Sequence, residues 1–129
     1  MTNLKLALAV LAGISIGTIG ARTIHGQQPA PLPGYVVAEV DARDPEMMAK
    51  YGAKVPETLA PFNHHYVILS SKIQALEGEP PKGGVVVIQF DSVEKAREWY
   101  DSPAYAAVRP IRQAAANSRI FIVQGLPHQ

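Results

Sequence analysis

Acid–base chemistry is the first possibility that the polar residues of this sequence raise. Glu39 interrupts the apolar run Tyr35–Val40, and His65 stands just before the apolar run Tyr66–Leu69. A histidine and a carboxylate within reach of each other could transfer protons near neutral pH. Glu39 itself has two interpretations, an outward-facing acid on a half-exposed strand or a carboxylate directed into a cavity. Glu39 and His65 are therefore the candidate catalytic residues.

Four other polar side chains could bind a ligand: Gln89, Tyr105, Arg109 and Arg119. An arginine can hold a carboxylate or an enolate through paired hydrogen bonds. A structural role is the alternative for the arginines and for the tyrosine. The two arginines could pair at the surface with Asp101, Asp91 or Glu98. Tyr105, like Trp99, could be a core aromatic residue whose polar tip finds a backbone partner.

Metal and cofactor chemistry are not expected. The chain has no cysteine. His64 and His65 are adjacent, and adjacent residues on a strand point to opposite faces, so they cannot easily share one ion. Phosphate-loop and dinucleotide-binding fingerprints are absent. The segment Gly13–Gly17 matches the letters of the serine hydrolase motif G-x-S-x-G, but no strand precedes it.

The N-terminal segment predicts export to the periplasm or secretion. Lys5 precedes a sixteen-residue apolar run, Leu6–Ala21, which is typical of a signal peptide. A membrane span requires about 20 apolar residues, so an uncleaved membrane anchor is the alternative. Cleavage after Gly26 would remove residues 1–26 with two of the twelve basic residues and none of the eleven acidic ones, changing the formal charge from +1 to −1. That near-neutral remainder disfavours nucleic-acid binding.

A proline-rich linker, residues 27–34, separates the predicted signal peptide from one domain, residues 35–127. Asp44 and Asp91 or Ser92 are candidate helix caps. Pro56 and Pro110 are expected to kink, split or delay the helices that contain them. The hydrophobic pattern predicts strands at 35–40, 66–69, 85–90 and 120–123, a possible short strand at 73–76, and helices after residues 44, 91 and 102.

This order of elements predicts an α+β fold, the ferredoxin-like arrangement βαββαβ with one four-stranded antiparallel sheet and its helices on one face. The third and fourth strands are apolar on both faces, as the contiguous runs 85–88 and 120–123 show. A sheet with two apolar faces and helices for only one of them needs a second cover. We therefore expect a homodimer in which two sheets pack face to face.

The chain resembles the bacterial family known as domain of unknown function 1330 (DUF1330) over residues 35–125. The most specific matching segments are Phe90–Ala96 and Trp99–Tyr105. Tyr35–Val40, Asp44–Pro45, Val55–Ala60, Leu76–Gly78, Val86–Ile88 and Arg109–Arg119 also match. The family is similar to the dimeric α+β barrel superfamily of small monooxygenases and isomerases. The resemblance implies a pocket between sheet and helices that all six candidate residues would face, and it supplies no reaction.

The chain departs from the family pattern at three places, and the third bears on catalysis. Asn63–His65 stands where many relatives carry two glycines and a basic residue, and Leu69–Ser71 where many carry Arg-Gly-Gly. Gln89 stands where a carboxylate is common, so a general base at that position would be missing. We predict a small-ligand-binding homodimer without catalysis, cofactor or nucleic-acid partner. The alternative is a small cofactor-independent enzyme with monooxygenase- or isomerase-like acid–base chemistry.

Overall fold

The computed structural model of the protein describes residues 29–127. The predicted signal peptide, residues 1–26, and the first two residues of the predicted linker lie outside that range. The elements are β1 (Gly34–Ala42), α1 (Pro45–Leu59), β2 (His64–Ser70), β3 (Gly84–Phe90), α2 (Val93–Asp101), α3 (Pro103–Ala115) and β4 (Ala116–Gln124). Between residues 29 and 127, no helix is both long enough and apolar enough to cross a membrane.

The four strands form one antiparallel sheet in the order β2-β3-β1-β4. The predicted ferredoxin-like βαββαβ fold is therefore confirmed. Tyr35 of β1 lies opposite Gln89 of β3 and Val123 of β4, and this register continues along both pairs of strands. A β-bulge at Val67 shifts the pairing of β2 by one residue, which redirects the side chains that follow it.

Three polar side chains begin the three helices. Asp44 accepts a hydrogen bond from the backbone N–H of Met47 (3.1 Å), and Ser92 accepts one from Lys95 (3.1 Å). Ser102 ends α2 and accepts from the backbone N–H of Tyr105 at the start of α3. Such bonds satisfy backbone donors that have no partner inside the helix.

The two internal prolines do not divide their helices. Pro56 lies in the last turn of α1, and Pro110 lies in the middle of α3. A proline removes one backbone hydrogen bond from a helix. In α3 the buried residues Val108 and Ala115 lie on either side of Pro110, so tertiary packing holds both halves of the helix in place.

The core lies between the helices and one face of the sheet. Val36, Ile88 and Phe90 face the helices and are nearly inaccessible to solvent. Trp99 of α2 packs between Phe90 and Tyr105. The centre of its ring lies 5.6 Å from that of Phe90 and 4.2 Å from that of Tyr105. Its indole N–H donates to Thr58 Oγ1 (3.0 Å), whose hydroxyl in turn donates to the carbonyl of Val55 (2.7 Å).

The connection between β2 and β3 contains no strand, so the possible short strand at residues 73–76 does not form. Residues 71–83 form neither helix nor strand. Leu76 is 89% exposed. A short segment with no neighbouring strand forms no backbone hydrogen bonds that would stabilise a β conformation. Gly83 ends the connection at φ +75°, and a side chain there would collide with the carbonyl oxygen of Val40.

The end of the predicted linker belongs to the folded domain. Pro33 is fully buried, and its carbonyl accepts a hydrogen bond from the N–H of Gly125 (2.8 Å). Gly34 is already the first residue of β1.

Candidate functional site

The six candidate residues lie on two opposite faces of the sheet. Tyr105 and Arg109 belong to α3, on the face that the helices cover. The other four lie on the opposite face, which we call the open face. Two of them, on β1 and β3, alternate with the buried residues of their strands, and the other two lie directly opposite these in the neighbouring strands. These four are Glu39, His65, Gln89 and Arg119. The expectation that all six face a pocket between sheet and helices is therefore wrong for these four.

Glu39 and Arg119 form an ion pair across β1 and β4. Arg119 Nε and Nη2 lie 2.8 Å and 2.9 Å from the two carboxylate oxygens of Glu39. This hydrogen bonding, with the nearby positive charge, lowers the pKa of Glu39 although partial burial opposes the shift. Glu39 therefore stays ionised and bound to a cation, which makes it a poor proton acceptor.

The surface acids that the sequence offered as partners of the arginines are engaged elsewhere. Asp101 pairs with Arg97 (2.7 Å), Glu98 with Lys95 (3.1 Å), and Asp91 accepts from the Asn63 side chain (2.7 Å). The alternative in which Arg109 or Arg119 pairs with one of these three acids is therefore wrong, although Arg119 does form a surface ion pair, with Glu39.

His65 and Gln89 are cross-strand neighbours on the open face. Together with Asn63, His64, Phe90 and Asp91 they line a small recess at one end of the sheet. Glu39 lies four residues along β1 from Tyr35, which is the β1 partner of Gln89. At about 3.3 Å per residue this separates Glu39 from His65 by about 13 Å along the strands. The two candidate catalytic residues therefore do not meet within the chain.

His64 points away from His65 and is engaged with its own loop. Its Nδ1 lies 2.8 Å from the carbonyl oxygen of Phe62. Within residues 29–127 no three potential metal-ligating side chains gather at one place.

The helix-covered face holds a cluster of tyrosines and arginines. The hydroxyl of Tyr105, a fully buried residue, lies 2.7 Å from the hydroxyl of Tyr51 on α1. The guanidinium of Arg109 lies 4.3 Å from the ring centre of Tyr100 and donates to the backbone carbonyl of the same residue. Stacking of this kind stabilises a cation by the negative face of the ring. The expectation that Tyr105 and Trp99 are core aromatic residues is confirmed, although their polar tips bond to side chains rather than to the backbone.

Arg112 is the buried residue that the sequence analysis missed. It is only 5% exposed, and its Nε has no hydrogen-bond partner. The buried residues of α3 are Tyr105, Val108, Arg112 and Ala115. Their spacing of three, four and three residues places them on one face of the helix. The same spacing, read in the sequence, would have selected Arg112 in addition to Arg109.

The tyrosine hydroxyls of this cluster are donors and acceptors rather than bases. Burial, together with the neighbouring Tyr105, raises the pKa of Tyr51 far above its usual value of 10.0. Burial and Tyr105 also raise the pKa of Tyr66 on β2. Both hydroxyls therefore remain protonated under physiological conditions.

An open cleft of about 430 Å³ lies beside Arg112 where α3 meets β4. Its lining comprises Arg43, Tyr100, Arg112, Gln113, Ala116, Asn117, Ser118 and Ile120. Two arginines and four neutral polar residues, among them Tyr100, thus line a common space, and no carboxylate is among the lining residues. Such an arrangement can hold a small anion.

This α+β sheet with one helix-covered face and one open face is the ferredoxin-like fold. The chain belongs to the DUF1330 family, a domain of unknown function, whose family model matches residues 33–126. No curated protein is significantly similar to the chain in sequence.

Solved structures show the same fold at low sequence identity. The protein of unknown function RPA0582 from Rhodopseudomonas palustris is 19% identical, with a TM-score of 0.63 over 86% of this chain and 94% of that one. SnoaB, a cofactor-independent oxygenase from Streptomyces nogalater, is 10% identical (TM-score 0.56; 75% and 96%). A dimeric ferredoxin-like protein of unknown function from Thermobifida fusca is 14% identical (TM-score 0.54; 75% and 94%).

Proposed function

We propose that the protein is a homodimer that binds a small organic ligand without transforming it. The observation that carries the non-catalytic part is the position of Glu39. This acid is held by Arg119 and lies far from His65, so one protomer contains no assembled acid–base pair. A general base must lie within hydrogen-bonding reach of the proton that it removes.

The open face supports the homodimer. A row of apolar side chains crosses all four strands at its centre: Ile68, Val87, Val37 and Phe121. Phe121 is 42% exposed and Ile68 is 44% exposed, and a continuous apolar surface of this kind is typical of an interface. A second copy fits best, since it presents the same flat apolar surface. The Thermobifida fusca protein of the same fold is described as dimeric.

The cluster on the helix-covered face supports ligand binding. Arg112 is buried without a complete set of hydrogen-bond partners, and the adjoining cleft is lined by polar side chains. A buried polar group without a partner costs free energy that a bound ligand could recover.

The proposed function is tested by screening small organic molecules for an increase in melting temperature and then analysing each hit by mass spectrometry. A ligand that binds only the native state raises its stability. The protein should bind at least one class of small molecule and return it chemically unchanged. Conversion of a bound compound in air, abolished by His65→Gln but not by the surface control Arg97→Gln, would contradict the non-catalytic proposal.

That outcome would favour the alternative function, a cofactor-independent enzyme. One observation favours this alternative: SnoaB, which shares the fold, is described as a cofactor-independent oxygenase. Catalysis would then need His65 to work with a group other than Glu39 of its own protomer.

We also propose that the protein is exported, on the basis of the predicted signal peptide, residues 1–26. N-terminal sequencing of protein recovered from the periplasm or medium should begin near Gln27. Recovery of chains with an intact Met1 in the membrane fraction would indicate the membrane-anchored alternative instead.

A further inference from the structure

Arg112 carries a positive charge into the interior of the domain. Its side chain is 5% exposed, and its Nε is buried without a hydrogen-bond partner. A buried charge is costly unless it is paired and hydrogen-bonded. The last turn of α3 contributes some compensation, because the carbonyls at a helix C-terminus favour a cation. The buried Nε still lacks an acceptor.

Arg112 has no counter-ion in the described part of the chain. The ion pairs among residues 29–127 join Lys95 to Glu98, Arg97 to Asp101 and Arg119 to Glu39. The ionisable groups that act on Arg112 are the phenols of Tyr51, Tyr100 and Tyr105, and the raised pKa of Tyr51 keeps its hydroxyl neutral. The cluster therefore offers Arg112 dipoles but no negative charge.

A second arginine, Arg43, lines the same cleft. Arg43 follows β1, and its Nη2 lies 3.3–3.5 Å from the carbonyl oxygens of Gln113, Ala114 and Ala116. These long contacts hold the guanidinium at the mouth of the cleft. Asn117 and Ser118 of β4 add neutral hydrogen-bonding groups to the wall.

We propose that this cleft binds a small monocarboxylate, with Arg112 as its main partner and Arg43 as the second. The inference rests on the proposed ligand-binding function and names the chemical class of the ligand. Two carboxylate oxygens match the paired N–H groups of a guanidinium. A single negative charge fits better than a phosphate dianion, because the cleft lies at the C-terminal end of α3, where the helix dipole repels additional negative charge.

The direct test follows the Arg112 Nε–H resonance by ¹⁵N NMR during titration of the purified protein with sodium acetate and sodium benzoate. Sodium chloride at equal ionic strength and inorganic phosphate are the comparison anions. A saturable shift of the Arg112 resonance, with a higher melting temperature, is expected for the monocarboxylates alone. An unmoved resonance, or equal shifts with chloride or phosphate, would overturn the inference.

Two variants separate binding from folding. Arg43→Gln lies at the surface and leaves the core intact, and it should weaken monocarboxylate binding about tenfold, the usual effect of losing one charged hydrogen bond. Arg112→Lys keeps the positive charge but loses the paired N–H donors of the guanidinium, and it should weaken binding at least as much. The control Arg97→Gln, which lies outside the cleft and breaks only an exposed ion pair, should bind as the wild type does.

The outcomes also separate this inference from the proposed function. If both cleft variants bind monocarboxylates like the wild type, and Arg112→Lys merely lowers the melting temperature by the same amount with and without acetate, Arg112 is a structural residue. A neutral ligand that stabilises the protein while no monocarboxylate does would overturn the carboxylate site and leave the proposed function standing. Failure of every ligand class would overturn both.

Discussion

The two faces of the sheet treat polar side chains in opposite ways. On the helix-covered face, Arg112 is buried among tyrosines without a counter-ion. On the open face, Arg119 is paired with Glu39 although its own side chain is 73% exposed. The exposed guanidinium, which water could have hydrated, has an ion-pair partner, whereas the buried guanidinium has none. This difference is the basis of the two proposals, a ligand on the helix-covered face and an apolar partner on the open face.

The largest expected effect lies on the helix-covered face. Trp99→Ala removes a 3%-exposed side chain that contacts Phe90 and Tyr105 and donates to Thr58. The free energy of unfolding in denaturant should fall by about 3–5 kcal/mol. The control Leu126→Ala, at an 81%-exposed residue, should change it by less than about 0.5 kcal/mol. Similar small losses for both variants would show that the described core is wrong.

The bond between Tyr51 and Tyr105 gives a matched pair of smaller effects. Tyr51→Phe leaves the hydroxyl of the fully buried Tyr105 without its partner, which should cost about 1–3 kcal/mol. Tyr105→Phe leaves the hydroxyl of Tyr51, a residue that is only partly buried, and should cost about 0.5–1.5 kcal/mol. Denaturant unfolding of both variants measures the difference. The reverse order would mean that the hydroxyl of Tyr51, rather than that of Tyr105, is the one enclosed.

The smallest expected effect lies on the open face and depends on pH. Arg119 lowers the pKa of Glu39 below its usual value of 4.5, so the ionised pair stabilises the folded state fully above that pH. The stabilisation is lost as the pH falls through the lowered pKa. Glu39→Gln should therefore have a lower melting temperature than the wild type at neutral pH, and the gap should close in acid. A gap that persists unchanged well below pH 4.5 would contradict the role of the ion pair.

Most of the fold was predictable because local signals and tertiary structure agree. Asp44 and Ser92 cap helices as their positions beside apolar repeats suggested. The segment at residues 73–76 was not predictable, because a short apolar run becomes a strand only when another strand is available to pair with it.

The site was less predictable than the fold, for a reason visible in β1. Alternation correctly separates Val36 and Ala38 from Val37 and Glu39. Because both sets contain apolar residues, alternation does not say which set the helices cover. Of the two interpretations that the sequence left for Glu39, the structure shows the outward-facing acid, which lies on the open face and pairs with Arg119. The partner of an arginine also depends on which strands are neighbours in the sheet. Arg119 pairs with Glu39, which lies 80 residues away in the chain.

Whether the Phe121→Asp variant dimerises is the most direct test of the proposal that the open face binds a second copy of the chain. Light scattering of the purified wild-type protein at micromolar concentration should give about twice the monomer mass. Phe121→Asp should fold but remain a monomer, because a sheet-to-sheet interface would bury its charge without a partner. Leu126→Asp, outside the sheet, should remain dimeric. A wild-type protein that stays monomeric as its concentration rises, or a Phe121→Asp variant that dimerises normally, would contradict the account.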